Sequence, residues 1–223
     1  MRHHFDTIVI GTGIAGLTCA IYLKKHGMDV VVLTKNSTIT ESNTYYAQGG
    51  IIAAKEGDSP EKLKLDILQA GCSYNRLEAV NFFAQFGPPL VFEFLVDMVG
   101  IEFSLAEDGK IDYTEEAAHS VRRIVHYEDH TGDKIIDSLI EYAKKIGVKF
   151  LTDYTAIDLI TNNHHSKNTQ EIYKEREVMG IYALNNKGGF VETFFADSVV
   201  LATGGIGNLY YHTTNPVSAT GDG

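Results

Sequence analysis

Three glycines near the amino terminus carry the clearest chemical pattern in this 223-residue sequence. Gly11, Gly13 and Gly16 follow an apolar run with the spacing G-x-G-x-x-G. In a turn from a strand into a helix, the first glycine permits the tight bend. The second lets a pyrophosphate approach the backbone, and the third lets the helix pack closely on the sheet. The pattern therefore predicts a dinucleotide site at the start of a helix, with an ordinary tight turn as the alternative.

The segments around these glycines occur in the order that such a site requires. The apolar runs Asp6–Ile10 and Asp29–Leu33 are each typical of a buried strand. Between them, Leu17–His26 predicts a helix that Gly27 ends. A strand, turn, helix and strand within about 30 residues form the context in which the glycine motif becomes specific.

The end of the second strand departs from the usual pattern. Dinucleotide sites commonly have an acidic residue there for a ribose hydroxyl, whereas this sequence has Thr34 and Lys35. The departure argues against a plain NAD site. Lys35 is either a cofactor residue or a solvated strand end.

The rest of the sequence predicts an α/β fold. A long connection, Asn36–Gly57, is followed by helices, with a break expected at Pro88-Pro89. After the last helix the pattern alternates as in antiparallel strands, with a hairpin turn at Asn185–Gly189. The predicted helices are Ser59–Ala70, Arg76–Phe86, Leu90–Val99 and Asp133–Lys145. The predicted later strands are Val148–Leu151, Ala156–Thr161, Val178–Leu184, Phe190–Phe195 and Ser198–Leu201.

Composition excludes several classes of function. The formal net charge of -10 disfavours nucleic-acid binding. The two cysteines, Cys19 and Cys72, form no CxxC pair, so we expect no disulfide and a cytoplasmic protein. The first residues lack the core of a signal peptide, and no apolar run reaches about 18 residues, so no membrane span is expected.

Six segments together resemble one known family. GTGIAG, LTK, SNTYYAQGGI, HSVRRIVHYEDHTG, LATGG, and TTNP followed by ATGDG occur in order. This combination resembles the L-aspartate oxidases, FAD enzymes of quinolinate and NAD biosynthesis that are related to succinate dehydrogenase and fumarate reductase flavoproteins. The resemblance implies that residues 1–223 are a Rossmann-like FAD-binding domain with a central parallel sheet and an antiparallel β-meander. It also implies that the capping domain, the returning half of the FAD domain and the carboxyl-terminal helical domain lie outside this sequence.

The resemblance also implies where FAD binds. Its pyrophosphate would lie on Thr12, Gly13, Ile14 and Ala15, and Lys35 matches a cofactor-contacting lysine. Asp222 matches an aspartate near the adenosine end. The segment along the flavin would be Asn43, Thr44, Tyr45, Tyr46, Ala47, Gln48, Gly49 and Gly50. Backbone amides at the two glycines would then stabilise reduced, anionic flavin. The alternative is a tyrosine-rich loop that packs on its own core.

Asn43 helps to choose within the superfamily. Succinate dehydrogenase and fumarate reductase flavoproteins typically have a histidine there that bonds covalently to the flavin. Because an asparagine amide cannot form that bond, we predict noncovalent FAD, as in the aspartate oxidases. A soluble flavoprotein of the succinate dehydrogenase or fumarate reductase type is the alternative, and a non-catalytic FAD-binding module is another.

Glu116 is the candidate catalytic residue. In EEAAHSVRR it matches a family carboxylate that helps to orient L-aspartate, plausibly through its ammonium group. Ala117 and Ala118 stand where the family often has glycines, which affects the aim of Glu116, and an exposed acidic turn is the alternative. Arg122 and Arg123 could bind a dicarboxylate, but ion pairing is the interpretation that we prefer. The histidines at 119, 126 and 130 match no standard zinc spacing, so no metal is expected.

The resemblance implies a complete reaction for the whole enzyme. A hydride equivalent passes from C2 of L-aspartate to flavin N5 and yields iminoaspartate, which quinolinate synthase uses. Oxygen, giving hydrogen peroxide, or fumarate, giving succinate, then reoxidises the flavin. The family's main catalytic arginine and carboxylate-binding histidines lie outside this sequence, so we expect little activity from these 223 residues alone.

Overall fold

The computed structural model describes residues 3–164 and 166–223, and their contacts divide into two units. Met1–Tyr45 and Leu139–Gly223 belong to the first, called the sheet unit here, and Tyr46–Ser138 form the middle unit. In chain order the elements are β1 (His3–Ile10), α1 (Ile14–Lys25), β2 (Val30–Leu33), β3 (Ile51–Ile52), α2 (Pro60–Ala70), α3 (Leu77–Leu90), β4 (Tyr113–Thr114), β5 (Ile124–Val125), α4 (Thr131–Lys145), β6 (Lys149–Leu151), β7 (Tyr154–Thr161), β8 (Val178–Asn185) and β9 (Phe190–Leu201). The unit boundary falls within α4.

A six-stranded sheet with the order β6-β2-β1-β9-β8-β7 forms the centre of the sheet unit. Strands β6, β2, β1 and β9 are parallel, whereas β9, β8 and β7 are antiparallel. Strand β2 is buried along its whole length, which explains its uninterrupted apolar run. The predicted fold class, a Rossmann-like parallel sheet with an antiparallel meander, is confirmed.

Strand β9 joins the two parts of this sheet. Its first half pairs with β8, from Phe190 opposite Asn185 to Phe195 opposite Gly180. Its second half pairs with β1, up to Leu201 opposite Ile10. The prediction of two separate strands here is wrong. The break was expected at Asp197 and its neighbours, but the backbone stays extended there because β1 continues the ladder on the other side.

The middle unit contains three helical segments and the small antiparallel sheet β3-β5-β4. Helix α2 begins where predicted, because the Ser59 hydroxyl accepts a hydrogen bond from the Lys62 amide at 3.3 Å and Pro60 occupies the first helical position. Both cysteines of the chain are free thiols.

The predicted break at Pro88-Pro89 is absent. Helix α3 runs through both prolines and continues as a π-helix, Val91–Val99, which Gly100 ends at a φ of +86°. A proline removes an amide donor and crowds the preceding turn, yet the helix continues, and its π-helical part starts only at Val91, after both prolines. The Pro88 carbonyl also accepts a hydrogen bond from the Ala54 amide at 3.1 Å.

The uninterrupted helical stretch Leu77–Val99 is long and apolar enough to cross a bilayer, by length and composition alone. No membrane span was expected from the sequence, because no apolar run reaches about 18 residues. This finding is weak evidence for a membrane span, since core helices of water-soluble proteins also meet both criteria.

Candidate functional site

The glycine turn of the sheet unit has one glycine that the backbone conformation requires. Gly11 has a φ of +115°, and a Cβ there would overlap the carbonyl group of Ala202. Its amide donates to the Leu33 carbonyl at 2.8 Å, and the Ala202 amide donates to the Ile10 carbonyl at 2.9 Å. The turn is therefore held between the ends of β2 and β9.

Gly13 and Gly16 differ from each other in what surrounds them. A Cβ at Gly16 would overlap the Gly11 carbonyl oxygen, so close helix packing requires this glycine. A Cβ at Gly13 would meet nothing nearer than the Thr44 hydroxyl at 3.6 Å. The fold itself thus leaves the Gly13 position open, as the approach of a pyrophosphate to the backbone requires.

Thr44 caps helix α1 from a distant loop. The helix has no side-chain cap of its own, since Gly13 occupies the N-cap position. The Ile14 amide donates to the Thr44 hydroxyl at 3.2 Å and so gains one of the partners that the first turn of a helix lacks. A predicted cofactor residue therefore also has a structural role at the helix terminus.

A cavity of about 580 Å³ opens over this turn. It is lined by the glycine turn, the end of β2, the loop before Tyr45, the start of β7 and the segment after β9. Nine predicted cofactor residues line it, namely Gly11, Thr12, Gly13, Ile14, Ala15, Lys35, Asn43, Thr44 and Asp222. Gly16 lies behind it, packed on the turn. An open glycine edge, the amino terminus of a helix and a cavity of this size fit the pyrophosphate and flanking groups of FAD.

Two predicted residues from opposite ends of the chain meet in this cavity. The Lys35 ammonium forms an ion pair with the Asp222 carboxylate and donates to the Thr220 hydroxyl at 2.5 Å. The hydrogen bond from Lys35 lowers the pKa of Asp222, and a second bond from Thr220 adds to this. The structure therefore places the Asp222 carboxylate beside Lys35, just beyond the end of β2.

The other residues predicted to lie along the flavin, 45–50, come directly after Thr44, the last cavity-lining residue of this loop. The Tyr45 amide donates to the Ser42 hydroxyl at 3.3 Å within the sheet unit. In the middle unit, Tyr46 and Gln48 are exposed, and the Ala47 carbonyl accepts from the Gly132 amide at 2.8 Å.

Within the middle unit the structure brings Glu116 against the Gly49-Gly50 pair. A Cβ at Gly49 would overlap the Glu116 carboxylate, and a Cβ at Gly50, which has a φ of +138°, would overlap Ile124 and the Val125 carbonyl. Glu116 is exposed, and its carboxylate accepts no hydrogen bond from any residue in the described ranges 3–164 and 166–223. An unpartnered carboxylate beside a bare backbone can receive a cationic group.

The turn that carries Glu116 contains a strained alanine. The His119 amide donates to the Glu116 carbonyl at 3.2 Å, which closes the turn, and Ala118 has a φ of +70°. A residue with a Cβ is disfavoured by roughly 1–2 kcal/mol in this left-handed region.

We expect Ala118→Gly to raise the free energy of unfolding by about 1 kcal/mol, because glycine adopts this conformation without strain. Urea denaturation of the purified chain measures the change. Ala117→Gly is the matched control, since its φ is not positive, and it should lower stability through added unfolded-state entropy. Equal effects of the two substitutions would contradict the assignment of strain to Ala118.

Arg123, which follows the Glu116 turn in the chain, is fully buried and forms two ion pairs. Its side chain has no exposed surface, and its Nε and Nη2 donate to the two Asp58 carboxylate oxygens at 2.6 and 3.0 Å. Its Nη1 pairs with Asp66, which also accepts from the Ser120 amide and hydroxyl at 3.0 and 2.9 Å. The preferred interpretation of ion pairing holds for Arg123, whereas exposed Arg122 donates to the Tyr113 carbonyl at 2.9 Å.

These contacts set the pKa values of both aspartates. Burial disfavours the charged form, but hydrogen bonds from Arg123, with the Ser59 amide for Asp58 and Ser120 for Asp66, outweigh it. The pKa of each carboxyl therefore lies below its ordinary value of 3.8. Neither aspartate was singled out from the sequence, although Asp66 stands three residues after Leu63 on the inner side of α2, where a charge is unexpected.

We expect the free energy of unfolding to be nearly flat above pH 5 and to fall below about pH 4. Because both pKa values are depressed in the folded chain, the stabilisation is present above the unfolded pKa and is lost as the pH falls through the folded pKa. Urea denaturation between pH 6 and pH 3 tests this. The double variant Asp58→Asn/Asp66→Asn should show a shallower acid slope, and an unchanged slope would contradict the account.

Two histidines of this region, His126 and His130, lie close to acidic residues. His126 Nε2 lies 3.3 Å from Asp112, and His130 Nδ1 lies 3.7 Å from Asp133. In the part of the chain that the structure describes, no group of three or more His, Cys, Asp or Glu side chains is arranged to hold a metal ion.

The sheet order, the glycine turn and the cavity together define a dinucleotide-binding α/β protein. Residues 6–223 match the FAD binding domain family, so the chain belongs to that family, and FAD is its cofactor.

Curated relatives give a narrower comparison. The chain is 38% identical to L-aspartate oxidase of Acinetobacter baylyi, over 99% of this chain and 40% of the relative. It is 39% identical to L-aspartate oxidase of Halobacterium salinarum, over 98% of this chain and 41% of the relative. The chain thus spans about two fifths of the length of these relatives.

Solved structures show the same fold. Sdh1 of Mycobacterium smegmatis, in complex with UQ1, has a TM-score of 0.83 and 29% identity, with 100% of this chain and 37% of that chain covered. A variant of FrdA from the E. coli quinol fumarate reductase has a TM-score of 0.84 and 23% identity, with 100% of this chain and 36% of that chain covered.

Proposed function

We propose that this chain is the FAD-binding part of an enzyme that oxidises L-aspartate to iminoaspartate. The observation that carries the proposal is the exposed Glu116 carboxylate beside Gly49, which accepts no hydrogen bond from residues 3–164 and 166–223. The identity to L-aspartate oxidases over nearly the whole chain supports it.

Residues of the sheet unit hold the cofactor in this proposal. The open backbone at Gly13 and the amide groups of the first turn of α1 receive the pyrophosphate. Lys35 and Asp222 bind next to it, where Asp222 supplies a carboxylate for a ribose hydroxyl. FAD, when bound, accepts the hydride equivalent from C2 of the amino acid.

Glu116 binds the substrate ammonium group. A carboxylate that is exposed and makes no competing hydrogen bond keeps its full accepting capacity for a cation. The Gly49 backbone lies directly against this carboxylate, and a side chain at Gly49 would overlap it.

The same proposal extends to the electron acceptor and the product. Oxygen or fumarate reoxidises the enzyme, and quinolinate synthase consumes the iminoaspartate. Because the chain spans about two fifths of its relatives, we expect almost no aspartate-dependent peroxide from it alone. Substantial peroxide production would contradict this part.

The second candidate is a flavoprotein of the succinate dehydrogenase type, which the likeness to Sdh1 favours. Asn43, which lines the cavity, argues for noncovalent FAD instead. The test is a visible spectrum of the chain incubated with FAD, before and after acid precipitation. We expect a perturbed flavin spectrum and release of all colour into the supernatant. Colour that stays in the pellet would support the second candidate.

The substrate is tested by titration of the FAD-loaded chain with L-aspartate. We expect a difference spectrum of the bound flavin, and a Kd that rises about tenfold in Glu116→Gln, because one charge-assisted hydrogen bond is worth about 1.5 kcal/mol. Glu115→Gln, which removes a neighbouring exposed carboxylate, is the matched control and should leave the Kd unchanged. Equal effects of the two variants would contradict the role of Glu116.

A further inference from the structure

Arg123 fixes the protonation of a neighbouring histidine. Its Nη1 lies 3.0 Å from His119 Nδ1. A guanidinium has donors and no acceptor, so His119 Nδ1 must accept this hydrogen bond and carry no proton. The single ring proton of His119 is therefore on Nε2.

The guanidinium cannot turn away from this contact. Its Nε and Nη2 are engaged by both oxygens of Asp58, and the second hydrogen of Nη1 is directed to Asp66. The Arg123 side chain is fully buried, so water does not compete for these groups. His119 is consequently held with Nδ1 inward, and Nε2–H lies on the side of the ring away from the buried ion pair.

His119 shares its turn with Glu116. The His119 amide donates to the Glu116 carbonyl at 3.2 Å, so the two side chains start from the ends of one closed turn. Glu116 offers an acceptor and His119 a donor. An amino dicarboxylate presents the complementary pair, an ammonium group and carboxylate oxygens.

We propose that His119 is a substrate-binding residue that donates a hydrogen bond from Nε2 to a carboxylate oxygen of the amino acid whose ammonium group Glu116 receives. This inference rests on the proposed function. It assigns to Arg123 the role of a positioning residue, which acts through the orientation and tautomer of His119.

The tautomer is tested first by NMR of the FAD-loaded chain labelled with ¹⁵N-histidine. Long-range ¹H–¹⁵N spectra at pH 7.5 should show a protonated Nε2 and an unprotonated Nδ1 for His119, with the resonance assigned by its loss in His119→Gln. A ring protonated at Nδ1 would overturn the proposal.

Two substitutions then separate substrate binding from a structural role. In His119→Gln the side-chain amide reaches the position of Nε2 and keeps a donor there, whereas in His119→Asn it reaches only the position of Nδ1. We expect the Kd for succinate and L-aspartate, from flavin difference spectra, to stay within about threefold for Gln and to rise about tenfold for Asn. If His119 served only to accept the hydrogen bond from Arg123, Asn would be the better replacement. A smaller rise in Kd for His119→Asn than for His119→Gln would therefore overturn the inference.

The ligand response distinguishes this inference from the proposed function. We expect the His119 Nε2–H resonance to shift on addition of either dicarboxylate. If L-aspartate perturbs the flavin in a Glu116-dependent way but leaves His119 unchanged, the inference is wrong and the proposed function stands. If neither dicarboxylate perturbs the flavin or His119, both are wrong.

Discussion

Arg123→Met is expected to lower the free energy of unfolding by about 3–5 kcal/mol, the largest effect of any single substitution considered for this chain. The side chain is fully buried and pairs with Asp58 and Asp66. Its removal leaves two neighbouring carboxylates without a positively charged partner in a buried site, and this cost exceeds the net contribution of the ion pairs themselves. Urea denaturation at pH 7 measures the loss.

Two further variants test the cause. Arg122→Met removes the same charge from an exposed side chain with one backbone contact, so it should change stability by less than about 0.5 kcal/mol. Arg123→Met/Asp58→Asn/Asp66→Asn removes the orphaned charges and should recover at least half of the loss. A triple variant no more stable than the single one would show that packing, and not charge, accounts for the effect.

Gly13→Ala is expected to weaken FAD binding about 100-fold while the chain stays folded. The new methyl group would lie where the pyrophosphate approaches the backbone, and the loss of two charge-assisted hydrogen bonds costs about 3 kcal/mol. The nearest atom to that methyl group in the protein is the Thr44 hydroxyl at 3.6 Å, so the fold accommodates it. Flavin fluorescence titration gives the Kd, and urea denaturation gives the stability.

Gly16→Ala is the matched comparison, because its methyl group would overlap the Gly11 carbonyl oxygen. We expect it to destabilise the chain by about 1–3 kcal/mol, as overpacking does. FAD affinity should then change only as far as the folded population changes. If Gly13→Ala lost stability to the same extent, the open position at Gly13 would be structural and not a ligand site.

The parallel part of the fold could be predicted from the sequence because its signals are local. The glycine spacing, the apolar run of β2 and the cap at Ser59 each depend on a few adjacent residues. The predicted ends of β9 and α3 were wrong, because contacts between residues far apart in the chain determine where these elements end. The ladder with β1 keeps β9 continuous past Asp197, and α3 runs through both prolines into a π-helix that starts at Val91.

The candidate site also has features that nearby residues predict and features that depend on distant residues. The motif around Gly13 indicates phosphate chemistry through residue type and nearby spacing, whereas the ammonium role of Glu116 is implied only by the resemblance to the L-aspartate oxidases. The pairing of Lys35 with Asp222, and of Arg123 with Asp58 and Asp66, depends on residues far apart in the chain. Charge alone does not reveal which partners meet, because every charged residue on the surface offers the same signal.

The position of β9 has a consequence for the order of events during synthesis. Strand β1 and the glycine turn leave the ribosome before the residues against which they pack. Those residues belong to β9 and Ala202, near position 200. At about 5–20 residues per second, the first strand waits on the order of 10 to 40 s for its neighbour. During that interval the apolar edge of β1 is open to wrong pairing, so yield of the nascent chain should depend on elongation rate and on chaperones that cover early strands.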